Sequence, residues 1–274
     1  MDQLVIVGAG LGGLRTVESL RAEGFSGEIT LVGDEPHQPY DRPPLSKQLL
    51  AGTWSEDRVF LHRGELADLG VSLRLGSSAM GVDDAAVYLD DGSRLPYHAL
   101  VVATGVRPRR LPGQPDHPDL HVLRTLEDCR AIRDSISRAR SLLVIGAGFI
   151  GAEVAATACT AGLEVTMLEA LPVPFARVLG EQMGQLCAQL QTDHGVTVRC
   201  GVPLVGFVDS DNGDNGIAAR LADGSTVQAD CGVVGVGTVI DDGWLAGLEI
   251  PTEGGLLCDS AGLVEGTANV YAVG

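Results

Sequence analysis

Gly8-Ala9-Gly10-Leu11-Gly12-Gly13 and Gly146-Ala147-Gly148-Phe149-Ile150-Gly151 are two copies of one pattern, and what flanks them decides the fold. Before the first copy, residues 4–7 (Leu-Val-Ile-Val) form a continuous apolar run. That is the pattern of a strand buried on both faces. After it, residues 14–23 place Leu14, Val17 and Leu20 at helical spacing, and Gly24 supplies a stop. Residues 28–32 predict the next strand. The second copy repeats this grammar: strand 141–145, helix 152–161, stop at Gly162, strand 165–168. Strand, turn, helix and strand in that order begin a parallel sheet.

The repetition continues downstream. Leu89-Asp90-Asp91-Gly92-Ser93 precedes an apolar strand at 99–103 that ends in Thr104-Gly105. Leu221-Ala222-Asp223-Gly224-Ser225 precedes a strand at 231–236 that ends in Gly237-Thr238. Asp-Gly between strand residues is a hairpin signal. The copies lie roughly 130–140 residues apart, which marks duplication of one nucleotide-binding module and not a short-period solenoid. The proline-rich, basic stretch 107–118 predicts a crossover between modules. Residues 212–216 (Asn-Gly-Asp-Asn-Gly) predict a polar hairpin tip.

A lone Gly-x-Gly-x-x-Gly is a weak signal, but here each copy has its strand and its helix. Gly8 and Gly146 allow the tight turn, Gly10 and Gly148 let backbone approach a pyrophosphate, and Gly13 and Gly151 let helix pack on strand. The phosphates would sit at the positive end of the helix dipole, against free N–H groups. An acidic residue is expected about 20 residues later, to hold ribose hydroxyls. Asp34 and Glu35 fall there in the first copy, and Glu169 in the second. A carboxylate accepts from a ribose 2′-OH and repels a 2′-phosphate, and Ala170-Leu171-Pro172 offers no arginine. The second site is therefore expected to take NADH over NADPH.

The net charge of −17 disfavours nucleic acid and anionic lipid. Arg107, Arg109 and Arg110 form the one dense basic cluster and read as a solvated turn. No basic, apolar leader opens the chain, and no apolar run approaches a membrane span, so a cytoplasmic protein is expected. The six cysteines form no close pair, which argues against a zinc site and a redox-active dithiol; they are expected as reduced and mostly buried thiols. No metal ligand set is expected. The six histidines are scattered and read as surface or loop residues, with no convincing Ser/His/Asp arrangement.

Tyr40-Asp41-Arg42-Pro43-Pro44-Leu45-Ser46-Lys47 is the most specific stretch. Two prolines fix the chain, and the serine is placed to cap a short helix. Together with the two glycine turns, this stretch closely resembles the NADH-dependent ferredoxin, rubredoxin and putidaredoxin reductases. Further matches are Ala103-Thr104-Gly105-Val106-Arg107-Pro108, Leu123-Arg124-Thr125-Leu126-Glu127-Asp128, Gly151-Ala152-Glu153-Val154-Ala155 and Asn269-Val270-Tyr271-Ala272-Val273-Gly274, so the resemblance covers essentially the whole chain. It implies an α/β fold of two Rossmann-like (β-β-α type) dinucleotide-binding domains, of the FAD/NAD(P) disulfide-reductase-like superfamily. FAD would occupy 1–110 and 240–274, and NAD 111–239.

Residue roles follow from the resemblance. Gly8, Gly10, Gly12, Gly13 and Asp34, with Glu35 beside it, match the FAD site. Arg42, Lys47, Met80, Thr104, Gly105 and Arg124 match positions near FAD, with Met80 contributing mainly through its backbone or else filling a core gap. Gly146, Gly148, Ile150, Gly151 and Glu169 match the NAD site. Lys47 and Glu153 match an ion pair beside the flavin ring, expected to be poorly solvated, and are the catalytic candidates.

The resemblance implies hydride transfer from NADH to FAD, then single electrons to a ferredoxin or rubredoxin serving a haem monooxygenase or Rieske dioxygenase. An NADH oxidase or nitrite-reductase-type flavoprotein is an alternative, as is a redox sensor resembling apoptosis-inducing factor. Two departures stand out. Relatives carry arginine or isoleucine, then proline and asparagine, where this chain has Thr238-Val239-Ile240 after Gly235-Val236-Gly237. The chain also stops at Gly274, one residue before an expected FAD-contacting aspartate, so a C-terminally shortened chain without the third domain is expected.

Overall fold

The computed structural model describes residues 2–62, 66–209, 216–252 and 254–274. In chain order the first elements are β1 (Gln3–Val7), α1 (Leu11–Ala22), β2 (Glu28–Gly33), β3 (Val71–Leu75), β4 (Ala79–Val82), β5 (Ala86–Leu89), β6 (Arg94–Pro96) and β7 (Ala99–Val102). There follow β8 (Val106–Pro108), β9 (Leu120–His121), α2 (Leu126–Arg138), β10 (Ser141–Ile145), α3 (Phe149–Thr160), β11 (Glu164–Glu169), α4 (Ala176–Asp193) and β12 (Thr197–Cys200). The last are β13 (Leu204–Val208), β14 (Ile217–Leu221), β15 (Thr226–Ala229), β16 (Cys231–Val234), β17 (Thr238–Ile240) and β18 (Val270–Ala272). The polar run at 210–215 lies outside the described residues, so the hairpin tip expected there is not described beyond Gly216.

The chain divides into two compact units: residues 1–41, 57–107 and 240–274, and residues 42–56 and 108–239. The first unit is built on a sheet of order β18-β7-β1-β2-β3. Its pairs are all parallel. Leu4 and Ile6 of β1 face a core with Val17, Ile29 and Leu31, on the side that α1 covers. Val5 and Val7 face the opposite core, with Val82, Val87, Leu89, Tyr97, Trp244 and Leu245. Two-sided burial is why β1 shows no polar alternation.

The second unit repeats this plan with β9-β16-β10-β11-β12, again parallel throughout. Leu143 and Ile145 pack with Leu168, Val234 and the strand residues Ile217, Ala219 and Leu221. Val154, Ala155 and Ala158 form the buried face of α3. Each unit adds a three-stranded antiparallel sheet, β4-β5-β6 in one and β13-β14-β15 in the other. The Asp-Gly turns at 91–92 and 223–224 close their final hairpins. Both glycines are left-handed, with φ of 80° and 84°.

Both helices after the glycine turns begin three residues earlier than the apolar spacing suggests, at Leu11 and Phe149. Their first turns contain Gly12-Gly13 and Ile150-Gly151, where close packing and not propensity sets the sequence. No helix among the described residues is long and apolar enough to cross a membrane.

Candidate functional site

The two glycine turns follow the same local rules. In the first unit, Gly8 adopts φ +119°, and a Cβ there would lie 2.1 Å from the Ala103 carbonyl oxygen. A Cβ on Gly13 would lie 2.0 Å from the Gly8 oxygen. In the second unit, Gly146 adopts φ +103° with its Cβ position 2.4 Å from the Gly235 oxygen, and that of Gly151 lies 2.0 Å from the Gly146 oxygen. These four glycines are required by the protein's own packing. Gly10 and Gly148 differ: a Cβ at either would meet nothing within 4 Å. Each is the N-cap of its helix and makes no side-chain cap. The open space thus lies at the helix end that presents unpaired N–H groups, which suits an anionic pyrophosphate.

The acids sit differently in the two copies. Val7 pairs with Val32, and Ile145 with Leu168, so Gly33 and Glu169 occupy equivalent register positions. A Cβ on Gly33 would lie 2.5 Å from the Cβ of Ala9, which leaves no room for an acid there. Asp34, one residue later, is exposed, and Glu35 accepts a 2.5 Å hydrogen bond from the Tyr40 hydroxyl. Glu169 is half-buried; its Oε2 accepts from the Ala147 N–H at 3.0 Å and its Oε1 from the Leu171 N–H at 2.9 Å. Its partner on β12, Cys200, has its thiol pKa pushed up by burial and by the Glu169 carboxylate.

Other expected positions of the first unit lie on β4 and after β7. Met80 is 65% exposed, which removes its reading as a core gap filler. Thr104 follows β7, and Gly105 takes φ +67°. Gly12 packs against the end of β18: its Cβ would lie 2.8 Å from Val273 Cγ1.

The second unit brings together Arg42, Ser46, Lys47, Arg124 and Glu153. Arg42 donates to the Arg124 carbonyl at 2.6 Å. Thr125 and Asp128 form a capping box at the start of α2, and the Asp128 carboxylate also accepts from the Arg124 N–H at 2.8 Å. Lys47 Nζ lies 2.9 Å from Glu153 Oε2. The two side chains are 37% and 33% exposed, so in the protein alone the pair keeps contact with water. Ser46 caps nothing: it ends a 3-10 helix, Pro43–Ser46, whose N-cap is Arg42. The prolines hold that turn, which places the buried Ser46 hydroxyl 2.5 Å from the same Glu153 oxygen. Thr157 of α3 donates to the Ser46 carbonyl at 2.9 Å. Nothing in the sequence pattern signals that role for Ser46.

Three further readings change. Among the described residues all six cysteines are unpaired, but only Cys129 and Cys231 are buried, and Cys258 is exposed. His121 is neither a surface nor a loop residue. It lies half-buried on β9, and burial lowers its pKa. Its Nε2 is 2.8 Å from the Ser135 hydroxyl, which donates to Asp119 at 2.7 Å. The order is Asp-Ser-His with a serine 3% exposed in the middle, so this is a structural chain and not a nucleophile. Arg107 lies on β8 and not in a turn, and it meets Asp241 at 3.6 Å in an exposed pair. Among the described residues no group of three metal-ligating side chains is present.

A family model described as pyridine nucleotide-disulphide oxidoreductase matches residues 2–274. Rhodocoxin reductase of Rhodococcus erythropolis is 37% identical over 99% of this chain and 64% of its own length. The ferredoxin–NAD(+) reductase component of the p-cumate 2,3-dioxygenase system of Pseudomonas putida is 38% identical over 86% of this chain and 58% of its own length. The chain therefore spans less than two thirds of these relatives. Among solved structures, that of a covalent putidaredoxin reductase–putidaredoxin complex superposes with a TM-score of 0.94 at 33% identity, covering all of this chain and 67% of its counterpart.

Proposed function

The chain belongs to the pyridine nucleotide-disulphide oxidoreductase family, and from that membership we propose that it carries the nucleotide-binding part of an NADH-dependent ferredoxin reductase. We assign FAD to residues 1–110 and 240–274 and NADH to residues 111–239; within the first range, residues 42–56 and 108–110 belong to the second compact unit. One observation carries this reading: in both modules the outer glycines of the turn are closed by their own backbone, while Gly10 and Gly148 face open space at a helix N-terminus.

In the first module Gly8, Gly12 and Gly13 shape the turn, and Asp34 with Glu35 supplies the acid. Thr104, Gly105, Met80, Arg42 and Arg124 are assigned to the rest of the FAD site. In the second module Gly146 and Gly151 shape the turn, with Ile150 beside it, and Glu169 would hold the ribose hydroxyls. FAD, when bound, takes up a hydride and gives out single electrons. Lys47 and Glu153 are assigned as the charged pair that bears on the flavin. The chain supplies orientation and electrostatics, and no nucleophilic side chain is needed.

The acceptor is a ferredoxin-type iron–sulfur protein. The relatives bear names of that activity, and no close cysteine pair is available to receive electrons instead. Unpaired thiols accord with a reducing, cytoplasmic setting. The test is NADH-dependent reduction of cytochrome c by the FAD-loaded protein. Reduction that requires added ferredoxin supports the reading. Rapid NADH consumption with oxygen, unaffected by ferredoxin, would replace it with an oxidase.

A further inference from the structure

Phe175 is one of two non-glycine residues among those described with positive φ, at φ 56° and ψ 15°. A left-handed backbone is unfavourable for a bulky side chain, and glycine would adopt it freely. The residue nonetheless stands at a junction. Its N–H donates to the Ala147 carbonyl at 3.2 Å. Its own carbonyl accepts from the Val178 and Leu179 N–H groups, both at 2.9 Å, and so starts α4. The left-handed turn at Phe175 thus carries its N–H back to the glycine turn while its carbonyl begins α4.

The other side of Ala147 is held as well. Its N–H is taken by Glu169 at 3.0 Å. Both main-chain polar groups of Ala147 are thereby engaged within the protein. The Phe175 ring then lies 5.0 Å from the ring of Phe149, tilted by 52°. Phe149 is the first residue of α3 and is 53% exposed. The segment that carries Phe175 is braced from behind: a Cβ on Gly184 of α4 would lie 2.4 Å from the Pro174 carbonyl oxygen.

Among the described residues the first module shows no such arrangement. Gly33 stands where Glu169 stands, and its turn is closed against Val273 through Gly12. The two copies keep the same glycine rules but are held by different contacts.

We propose that Phe175 is a positioning residue for the second dinucleotide site: its left-handed backbone pins Ala147, and its ring fixes Phe149, so that the N–H groups following Gly148 are set for the pyrophosphate before nucleotide arrives. A strained residue kept beside a site, where glycine would be easier, is the expected mark of such a role. The inference rests on the assignment of 146–151 to NADH.

The experiment compares wild-type protein with Phe175→Gly and Phe175→Tyr. Binding of NADH and of ADP-ribose is measured by calorimetric titration, hydrogen exchange is followed at 146–151, and thermal unfolding serves as the control. Phe175→Gly is expected to bind both ligands about tenfold more weakly, the scale of one lost preorganised contact. Exchange at 146–151 should quicken, with no fall in Tm because strain is released. Phe175→Tyr should bind like wild type. Wild-type affinity in Phe175→Gly would overturn the proposal, as would weakened NADH binding with unchanged ADP-ribose binding, or weakened binding that only follows a lower Tm. If wild type binds neither ligand, the assignment of 146–151 to NADH is what fails.

Discussion

Lys47 Nζ and the Ser46 hydroxyl converge on one oxygen of Glu153, at 2.9 Å and 2.5 Å, from a turn more than 100 residues away in sequence. The last residue of the Pro43–Ser46 turn and the one that follows it are thereby fastened to α3. Their exposures differ. Ser46 is buried, and Lys47 is 37% exposed.

That difference separates two variants. Lys47→Ala removes a partly solvated charge and should cost less than about 1 kcal/mol of stability. Glu153→Ala leaves the buried Ser46 hydroxyl without its short acceptor and should cost about 1–3 kcal/mol. Urea unfolding measures both, and equal losses would contradict the account. Lys47→Ala should in addition weaken FAD retention or slow flavin reduction by NADH; wild-type values for both would remove Lys47 from the flavin's neighbourhood.

The glycines of one turn should separate in the same way. Gly148→Ala places a methyl in open space and should leave stability within about 0.5 kcal/mol of wild type while NADH binding falls. Gly151→Ala drives a Cβ to 2.0 Å from the Gly146 oxygen. It should destabilise by about 3 kcal/mol or more, the upper range for overpacking. Denaturation midpoints with parallel NADH titrations decide this. Loss of stability in Gly148→Ala would show that its space belongs to the protein.

Glu169 is the residue we propose to set nucleotide choice. A 2′-phosphate brought against its carboxylate meets like charge, so kcat/KM should favour NADH over NADPH by about 100-fold. Glu169→Ala should narrow that ratio and also weaken NADH binding, because the Ala147 and Leu171 N–H groups lose their acceptor. A wild-type enzyme that uses NADPH equally well would refute the assignment.

The thiols should sort by burial. Burial pushes Cys129 up to about 11 and Cys231 up to about 12, from an ordinary 9.0. Both stay protonated and unreactive at about pH 8, close to the ordinary thiol range. Exposed Cys258 should alkylate first, as mass spectrometry of iodoacetamide-treated native protein will show. Because the folded pKa values are raised, the stability these thiols contribute is intact below the unfolded value. It is lost as pH climbs from 9.0 towards 12. Rapid native alkylation of Cys231 would contradict its burial.

Much of the fold was legible because it rests on backbone rules that glycine reports directly. Gly8 and Gly146 mark turns that admit no Cβ, and the apolar runs at β1 and β10 mark strands covered on both sides. Glu169 was legible because its strand end lies at a fixed distance from the turn. Helix starts at Leu11 and Phe149 were not, since glycines inside a first turn carry no helical periodicity. Ser46 was misread because the prolines before it could open a helix or hold a short turn, and only the contact with Glu153 chooses. Phe175 was invisible, because no composition rule places a left-handed phenylalanine.

The most direct test of the central claim is an anaerobic titration of the FAD-loaded protein with NADH, followed by flavin absorbance. Bleaching of the bound flavin by about one equivalent of NADH is expected for a two-electron transfer between the two nucleotide sites. A protein that takes up no FAD, or holds FAD that NADH leaves oxidised, would contradict the account.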